Sequence, residues 1–86
     1  MPYIRKESRE KFNQFKLDLL SLAIETSGEL NYVITKIILG YLYKKGIPKY
    51  NNYNEIVGVL ECAKQELYRR QIAPYEDIKI KDNGDV

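Results

Sequence analysis

The sequence contains no histidine and a single cysteine, Cys62. Without histidine, the usual zinc sites and the catalytic triads that use histidine as a base cannot form. A single cysteine also excludes a disulfide framework within the chain. Because most metal and nucleophilic chemistry is thereby removed, we expect a protein that is not an enzyme and that carries no metal or cofactor.

The sequence also has little net charge and no long hydrophobic run. The 14 Lys and Arg residues nearly balance the 12 Asp and Glu residues, which gives a formal net charge of +2. This charge is too small to predict binding to a nucleic-acid backbone, so we expect no DNA partner. No run of about 18 apolar residues and no signal peptide is evident, so we expect no membrane contact and a cytoplasmic protein.

The length of the chain limits how much core it can bury. Its 86 residues, 44% hydrophobic and 30% charged, fit one globular domain over residues 1–86. A domain of this size hides only about 60% of the surface of its unfolded chain. Disulfides and metals cannot add stability here, whereas eight tyrosines supply contact area at low entropic cost. The length therefore predicts a homo-oligomer, either a dimer or a larger assembly.

Apolar spacing and capping residues predict two helices in the first half of the chain. The second of them opens with a capping box at Thr26-Ser27-Gly28-Glu29, with the Glu carboxylate reaching back to the Thr amide. It ends at Lys44-Lys45-Gly46, where cations precede a glycine. The first is capped by Ser8, and its apolar residues recur three and four positions apart at Phe12, Phe15, Leu19 and Leu22.

A third helix is predicted in the second half of the chain. Asn52, followed by Glu55, opens it. Gly58 lies within it and suggests a close approach by another helix. Pro74 ends or kinks this helix, and the residues beyond form either a further helical turn or a short extended arm. One face carries Ile56, Leu60, Ala63 and Leu67.

These segments predict an all-α fold. We expect a small bundle of three main amphipathic helices, with a kinked or short fourth segment after Pro74 and with oligomeric assembly. Residues 1–6 and 82–86 are predicted to be tails that are mobile or held by a partner subunit.

One basic and aromatic set on the third helix is the candidate ligand site. Lys64, Tyr68, Arg69 and Arg70 offer an ammonium, a phenol ring and two guanidiniums, and Tyr75 follows shortly after. Guanidinium groups match phosphate oxygens and a tyrosine ring can stack on a base, so the set suits an anionic, nucleotide-like small molecule. The alternative is that both arginines pair with Glu66 one turn earlier.

Short sequence runs also carry a resemblance to a known family. They are Leu60-Glu61-Cys62-Ala63-Lys64, Glu66, Tyr68-Arg69-Arg70, Ala73-Pro74-Tyr75-Glu76-Asp77 and Asn83-Gly84-Asp85-Val86. In these runs the chain resembles a family of short proteins of unknown function that recur in phage, bacterial and archaeal genomes. The resemblance implies no established reaction. By analogy with small oligomeric phage proteins, it suggests a sponge that sequesters a cyclic dinucleotide or ADP-ribose derivative between subunits, in the host cytoplasm if a phage encodes it.

Two other functions stay open at this point. One is a protein–protein interaction module without a small-molecule ligand. The other, less favoured, is a magnesium-dependent nucleotide hydrolase that would use Glu61, Glu66, Glu76 and Asp77. Glu61 and Glu66 are five residues apart and point to different faces of a helix, which disfavours a shared metal.

Overall fold

The computed structural model describes residues 4–86. No strand occurs in this range, so the all-α prediction is confirmed for the described residues. The chain divides into two compact units, Met1–Leu39 and Gly40–Val86. None of the helices within residues 4–86 is long and apolar enough to cross a membrane.

The helical elements follow one another with short connections. In the first unit they are a 3₁₀ segment (Lys6–Phe12), helix α1 (Asn13–Ser21) and most of helix α2 (Ser27–Leu42). The second unit contains the end of α2, helix α3 (Tyr50–Leu67), a π turn (Tyr68–Ile72) and helix α4 (Ala73–Asn83).

The first helix starts later than the sequence predicts. Ser8 does not cap it, because Ser8 lies within the 3₁₀ segment and its amide donates to the carbonyl oxygen of Arg5 at 3.0 Å. The segment Lys6–Phe12 contains a single apolar residue, so it has no apolar stripe to hold a regular α-helix against a core. The α-helix begins only at Asn13.

The predicted capping box at the start of α2 is confirmed, with one difference. The Glu29 amide donates to the Thr26 hydroxyl oxygen at 3.1 Å, as expected. The Glu29 carboxylate, however, accepts from the Glu25 amide at 3.3 Å and from the Thr26 hydroxyl at 3.2 Å. The helix ends at Leu42, so Lys44 and Lys45 lie in the turn that follows.

Asn52 acts at the start of α3 from a different position than predicted. It does not precede the helix, which begins at Tyr50 with Lys49 in the capping position. The Asn52 side chain instead accepts from the Lys49 amide at 2.9 Å. The predicted cap residue is therefore wrong, but its side chain still satisfies an amide at the same helix end.

Residues 50–83 form one uninterrupted helical segment, because the π turn joins α3 to α4. In the π turn the Ala73 amide donates to the Tyr68 carbonyl oxygen, five residues back. Pro74 has no amide hydrogen, and in a regular α-helix its ring clashes with the carbonyl four residues earlier. A local widening relieves this conflict. Of the two alternatives for the residues after Pro74, a further helical turn or an extended arm, the structure shows helix. This helix also includes Asp82 and Asn83, which the sequence predicts to belong to the C-terminal tail.

Little of the chain is buried. Ile56, 9% exposed, is the one residue that counts as buried within residues 4–86. A Cβ added at Gly58 would meet no atom within 4 Å, so no helix of the described chain uses the predicted close approach. Residues 1–3 of the predicted N-terminal tail lie outside the described residues.

Candidate functional site

The structure spreads the predicted ligand residues over three consecutive helical elements. Lys64 lies in the last turn of α3, and Tyr68, Arg69 and Arg70 lie in the π turn. Tyr75 lies in the first turn of α4. All five are exposed, so each is accessible in a single chain.

The two arginines converge on one carboxylate. The Arg69 guanidinium lies 3.1 Å from one Glu66 oxygen, and the Arg70 guanidinium lies 2.6 Å from the other. The alternative that the sequence left open, pairing with Glu66, is therefore the arrangement in the structure. Ion pairs three or four residues apart on a helix typically contribute about 0.3–0.5 kcal/mol each.

Lys64 and Tyr68 share a shallow apolar depression. Its other lining residues are Gln65, Leu67 and Ile72, and its volume is about 480 Å³. The Lys64 ammonium also lies 3.5 Å from a Glu61 carboxylate oxygen. Tyr75 is not part of this lining, and its ring faces the Lys79 ammonium at 5.6 Å. The structure thus brings together Lys64 with Tyr68, and Arg69 with Arg70, but it does not add Tyr75 to either pair.

A second site, which the sequence did not indicate, lies at the turn between α2 and α3. The Tyr41 hydroxyl donates to a Glu55 carboxylate oxygen at 2.5 Å. This hydrogen bond, and then the negative charge of Glu55, raise the pKa of Tyr41 above its ordinary value. Around it is a cavity of about 180 Å³, lined by Tyr41, Leu42, Lys44, Lys45, Gly46, Ile47, Asn52 and Glu55.

Tyr43 and Tyr53 form a second hydrogen bond between the same turn and α3. A hydrogen bond with Tyr43 raises the pKa of Tyr53 above its ordinary value. Gly46 has a φ of +117°, a backbone conformation that residues with a Cβ rarely adopt, and this allows the chain to reverse here. Tyr41 and Glu55 are 14 residues apart, so no local spacing could have paired them.

A comparison with protein families gives a match over the whole chain. Residues 1–86 match the family described as "Domain of unknown function (DUF6899)". The chain belongs to this family. The resemblance to an uncharacterised family of short proteins is therefore confirmed. No curated protein and no solved structure matches this DUF6899 chain.

The acidic side chains of the DUF6899 protein are the groups that the hydrolase alternative would use. Within residues 4–86, no three acidic or cysteine side chains come together in a group that could hold a metal ion. The Glu61 carboxylate is occupied by Gln65 at 3.2 Å and by Lys64. The hydrogen bond from Gln65 and the charge of Lys64 lower the pKa of Glu61. The candidate ligand residues present guanidinium, ammonium and phenol groups beside an apolar surface.

Proposed function

We propose that this DUF6899 chain is a self-associating helical binding protein with no reaction of its own. The observation that carries this proposal is the scarcity of buried apolar side chains. Ile56 alone is buried among residues 4–86, although 44% of the sequence is hydrophobic. Contiguous apolar surface on a soluble chain marks an interaction site.

The exposed side chains are large enough to drive association. Leu20 in α1 is 85% exposed, and Ile47 in the turn after α2 is 89% exposed. The first unit also has an open apolar groove of about 450 Å³ around Ile24 and Val33. Complete burial of one such side chain is worth about 1.5–3 kcal/mol. A net charge of +2 provides little repulsion between copies.

Light scattering on the purified protein tests the proposal. We expect a mass that is a multiple of 10.1 kDa at micromolar concentration, with a symmetric dimer as the smallest unit. On dilution, dissociation should be accompanied by loss of helical circular dichroism. A monomer that stays fully helical at low concentration would refute self-association. Native mass spectrometry of protein purified from cells tests the alternative of an interaction module, because it would show a different protein chain in the complex.

Binding of an anionic, nucleotide-derived molecule is the second candidate function. Two features support it. The Lys64 and Tyr68 side chains line one depression. The Arg69 and Arg70 guanidiniums each contact one oxygen of the same carboxylate, that of Glu66. Phosphate oxygens match the same guanidinium geometry. A sponge that takes up cyclic dinucleotides or ADP-ribose derivatives between subunits is the concrete form of this candidate.

Calorimetric titration with cyclic dinucleotides and ADP-ribose derivatives tests this second candidate. We expect a complex that an Arg69→Ala, Arg70→Ala double variant no longer forms. The matched control is Lys44→Ala, Lys45→Ala, which also removes two cations but at the turn after α2. Binding weaker than about 100 μM, roughly −5.5 kcal/mol, to every compound would reject the candidate for these ligands. Hydrolysis of any of them in the presence of magnesium would instead support the hydrolase alternative.

A further inference from the structure

An apolar stripe runs along the helical segment 50–83 of the second unit. Its members in α3 are spaced four, three and four residues apart: Ile56, Leu60, Ala63 and Leu67. This spacing keeps them on one face of an α-helix, and it is typical of helices that pair with a second helix. Beyond Leu67 the next apolar members are Ile72, Tyr75 and Ile78, so the step from Leu67 to Ile72 is five residues.

The π turn lies at this long step. Five residues of regular α-helix rotate by about 500°, which would carry Ile72 about 140° around the helix from Leu67. The π turn takes up one additional residue, because its hydrogen bond spans five residues from Ala73 to Tyr68. As a result, Leu67 and Ile72 line the same depression despite their separation. The π turn therefore keeps the stripe in phase from α3 into α4.

Most of this stripe is exposed in a single chain. Ile56 is covered, but the remaining large members are exposed to between 38% and 59% of their surface: Leu60, Leu67, Ile72, Tyr75 and Ile78. The distance from Ile56 to Ile78 along the helix is about 33 Å. Leu67 lies at the middle of this length.

The charges along the segment differ between its two halves. Residues 50–67 carry three acidic side chains and one basic side chain, a net charge of −2. Residues 68–83 carry four basic and three acidic side chains, a net charge of +1. Two copies that lie antiparallel place the acidic half of one beside the basic half of the other. A parallel pair would place like charges together, and it would also align the two helix dipoles unfavourably.

We propose that the exposed part of the stripe, from Leu60 to Tyr75, pairs antiparallel with the same part of a second copy of this chain. This inference rests on the proposed self-association and adds the surface and the orientation. A two-fold axis passes beside Leu67, so the two Leu67 side chains meet at the centre of the interface. Leu60 of each copy then lies near Tyr75 of the other.

Disulfide cross-linking tests the orientation, in a Cys62→Ser background that removes the native thiol. Leu67→Cys should form a covalent dimer at least about tenfold faster than Asn54→Cys, because pairing raises the effective concentration of the second thiol. Asn54 is the matched control, an exposed residue of α3 that lies about 200° from Ile56. A mixture of Leu60→Cys chains and Tyr75→Cys chains should give mainly the mixed dimer.

Each other outcome overturns a defined part of the inference. If Leu60→Cys and Tyr75→Cys each link to their own kind faster than to each other, the pair is parallel. If no position links faster than Asn54→Cys while light scattering still shows an oligomer, the stripe is not the interface, and the proposed self-association stands without it. If light scattering shows a helical monomer, both proposals fail. Circular dichroism of each variant confirms that it has the helical content of the parent.

Discussion

Changing the length of the chain by one residue at the π turn tests whether this turn keeps the apolar stripe in phase. One variant deletes Gln71, and the matched variant inserts an alanine after Gln71. The deletion is made in a Pro74→Ala background, because a proline inside the regular α-helix that it creates costs about 3 kcal/mol, whereas the insertion keeps Pro74 and with it the π turn. Alanine is the best helix former, so the inserted residue carries no cost of its own.

The two variants should have opposite effects on the stripe. Deletion shortens the step between Leu67 and Ile72 to four residues, and a regular α-helix then places Ile72 only about 40° from Leu67. Insertion lengthens the step to six residues, and Ile72 and Tyr75 rotate by about 100° away from the stripe. After the deletion, a regular α-helix keeps the stripe on one face without a π turn. After the insertion, a single π turn no longer keeps it there.

The size of the effect follows from the surface that these side chains still expose. Ile72 is 38% exposed, and Tyr75 is 59% exposed. About half of the roughly 1.5–3 kcal/mol for complete burial is therefore available to the interface, or about 1 kcal/mol for each side chain. The insertion should cost about 2 kcal/mol in each copy, which raises the dissociation constant of the dimer at least about a hundredfold. The deletion should leave it within about tenfold.

Sedimentation equilibrium over a dilution series measures these dissociation constants, and circular dichroism reports the helical content of each variant. An insertion variant that associates as tightly as its parent would refute the role of the π turn. So would a deletion variant that dissociates as readily as the insertion variant, because the argument from helical phase distinguishes the two.

Three further predictions concern single side chains. Thr26→Ala should lower the free energy of unfolding by about 0.5–2 kcal/mol in urea titration, because the Glu29 amide loses its acceptor. The control Thr35→Ala, a change in the middle of α2, should lower it by less. Equal effects of the two substitutions would contradict the capping role of Thr26. The Tyr41 hydroxyl donates a hydrogen bond to Glu55, so its contribution to stability should be present below its ordinary pKa of 10.0 and lost as pH rises through the raised value. Tyr41→Phe should abolish that loss and remove one late-titrating tyrosine from the ultraviolet absorbance, while Tyr53 keeps its own raised pKa; loss of a tyrosine that titrates at the ordinary value instead would disprove the assignment. Gly58→Ala should raise the free energy of unfolding by about 0.8–1 kcal/mol without changing the mass in light scattering. Gly58 lies opposite the stripe, and the added Cβ would meet no atom within 4 Å. A smaller assembly would place Gly58 in an interface instead.

The helix boundaries show where local patterns suffice. Thr26 and Glu29 form the predicted capping box because both partners lie within one turn of each other. Ser8 and Asn52 are equally good capping residue types, but their roles depend on where the first helical residue falls. That position depends on backbone geometry that the residue type alone does not specify, so Ser8 lies in a 3₁₀ segment and Asn52 lies inside α3.

The candidate ligand site shows the same limit for side chains. The spacing of Arg69 and Arg70 permits both a free, anion-binding pair and a pair held by Glu66. The structure selects the second arrangement, with both guanidiniums on one carboxylate. The sequence alone could not select it, because exposed ion pairs of this spacing differ from their alternatives by less than about 1 kcal/mol.

The sequence by itself determined the all-α class, the start of α2 and the membership of the DUF6899 family, since each depends on residue identity and short-range spacing. Only the tertiary structure decided that Tyr41 meets Glu55 across the turn after α2, because a contact over 14 residues depends on the path of the intervening chain. It also decided that the segment beyond Pro74 continues as helix through a π turn. Proline excludes one hydrogen bond but allows either a break or a widened turn, and the geometry of the neighbouring residues selects between them.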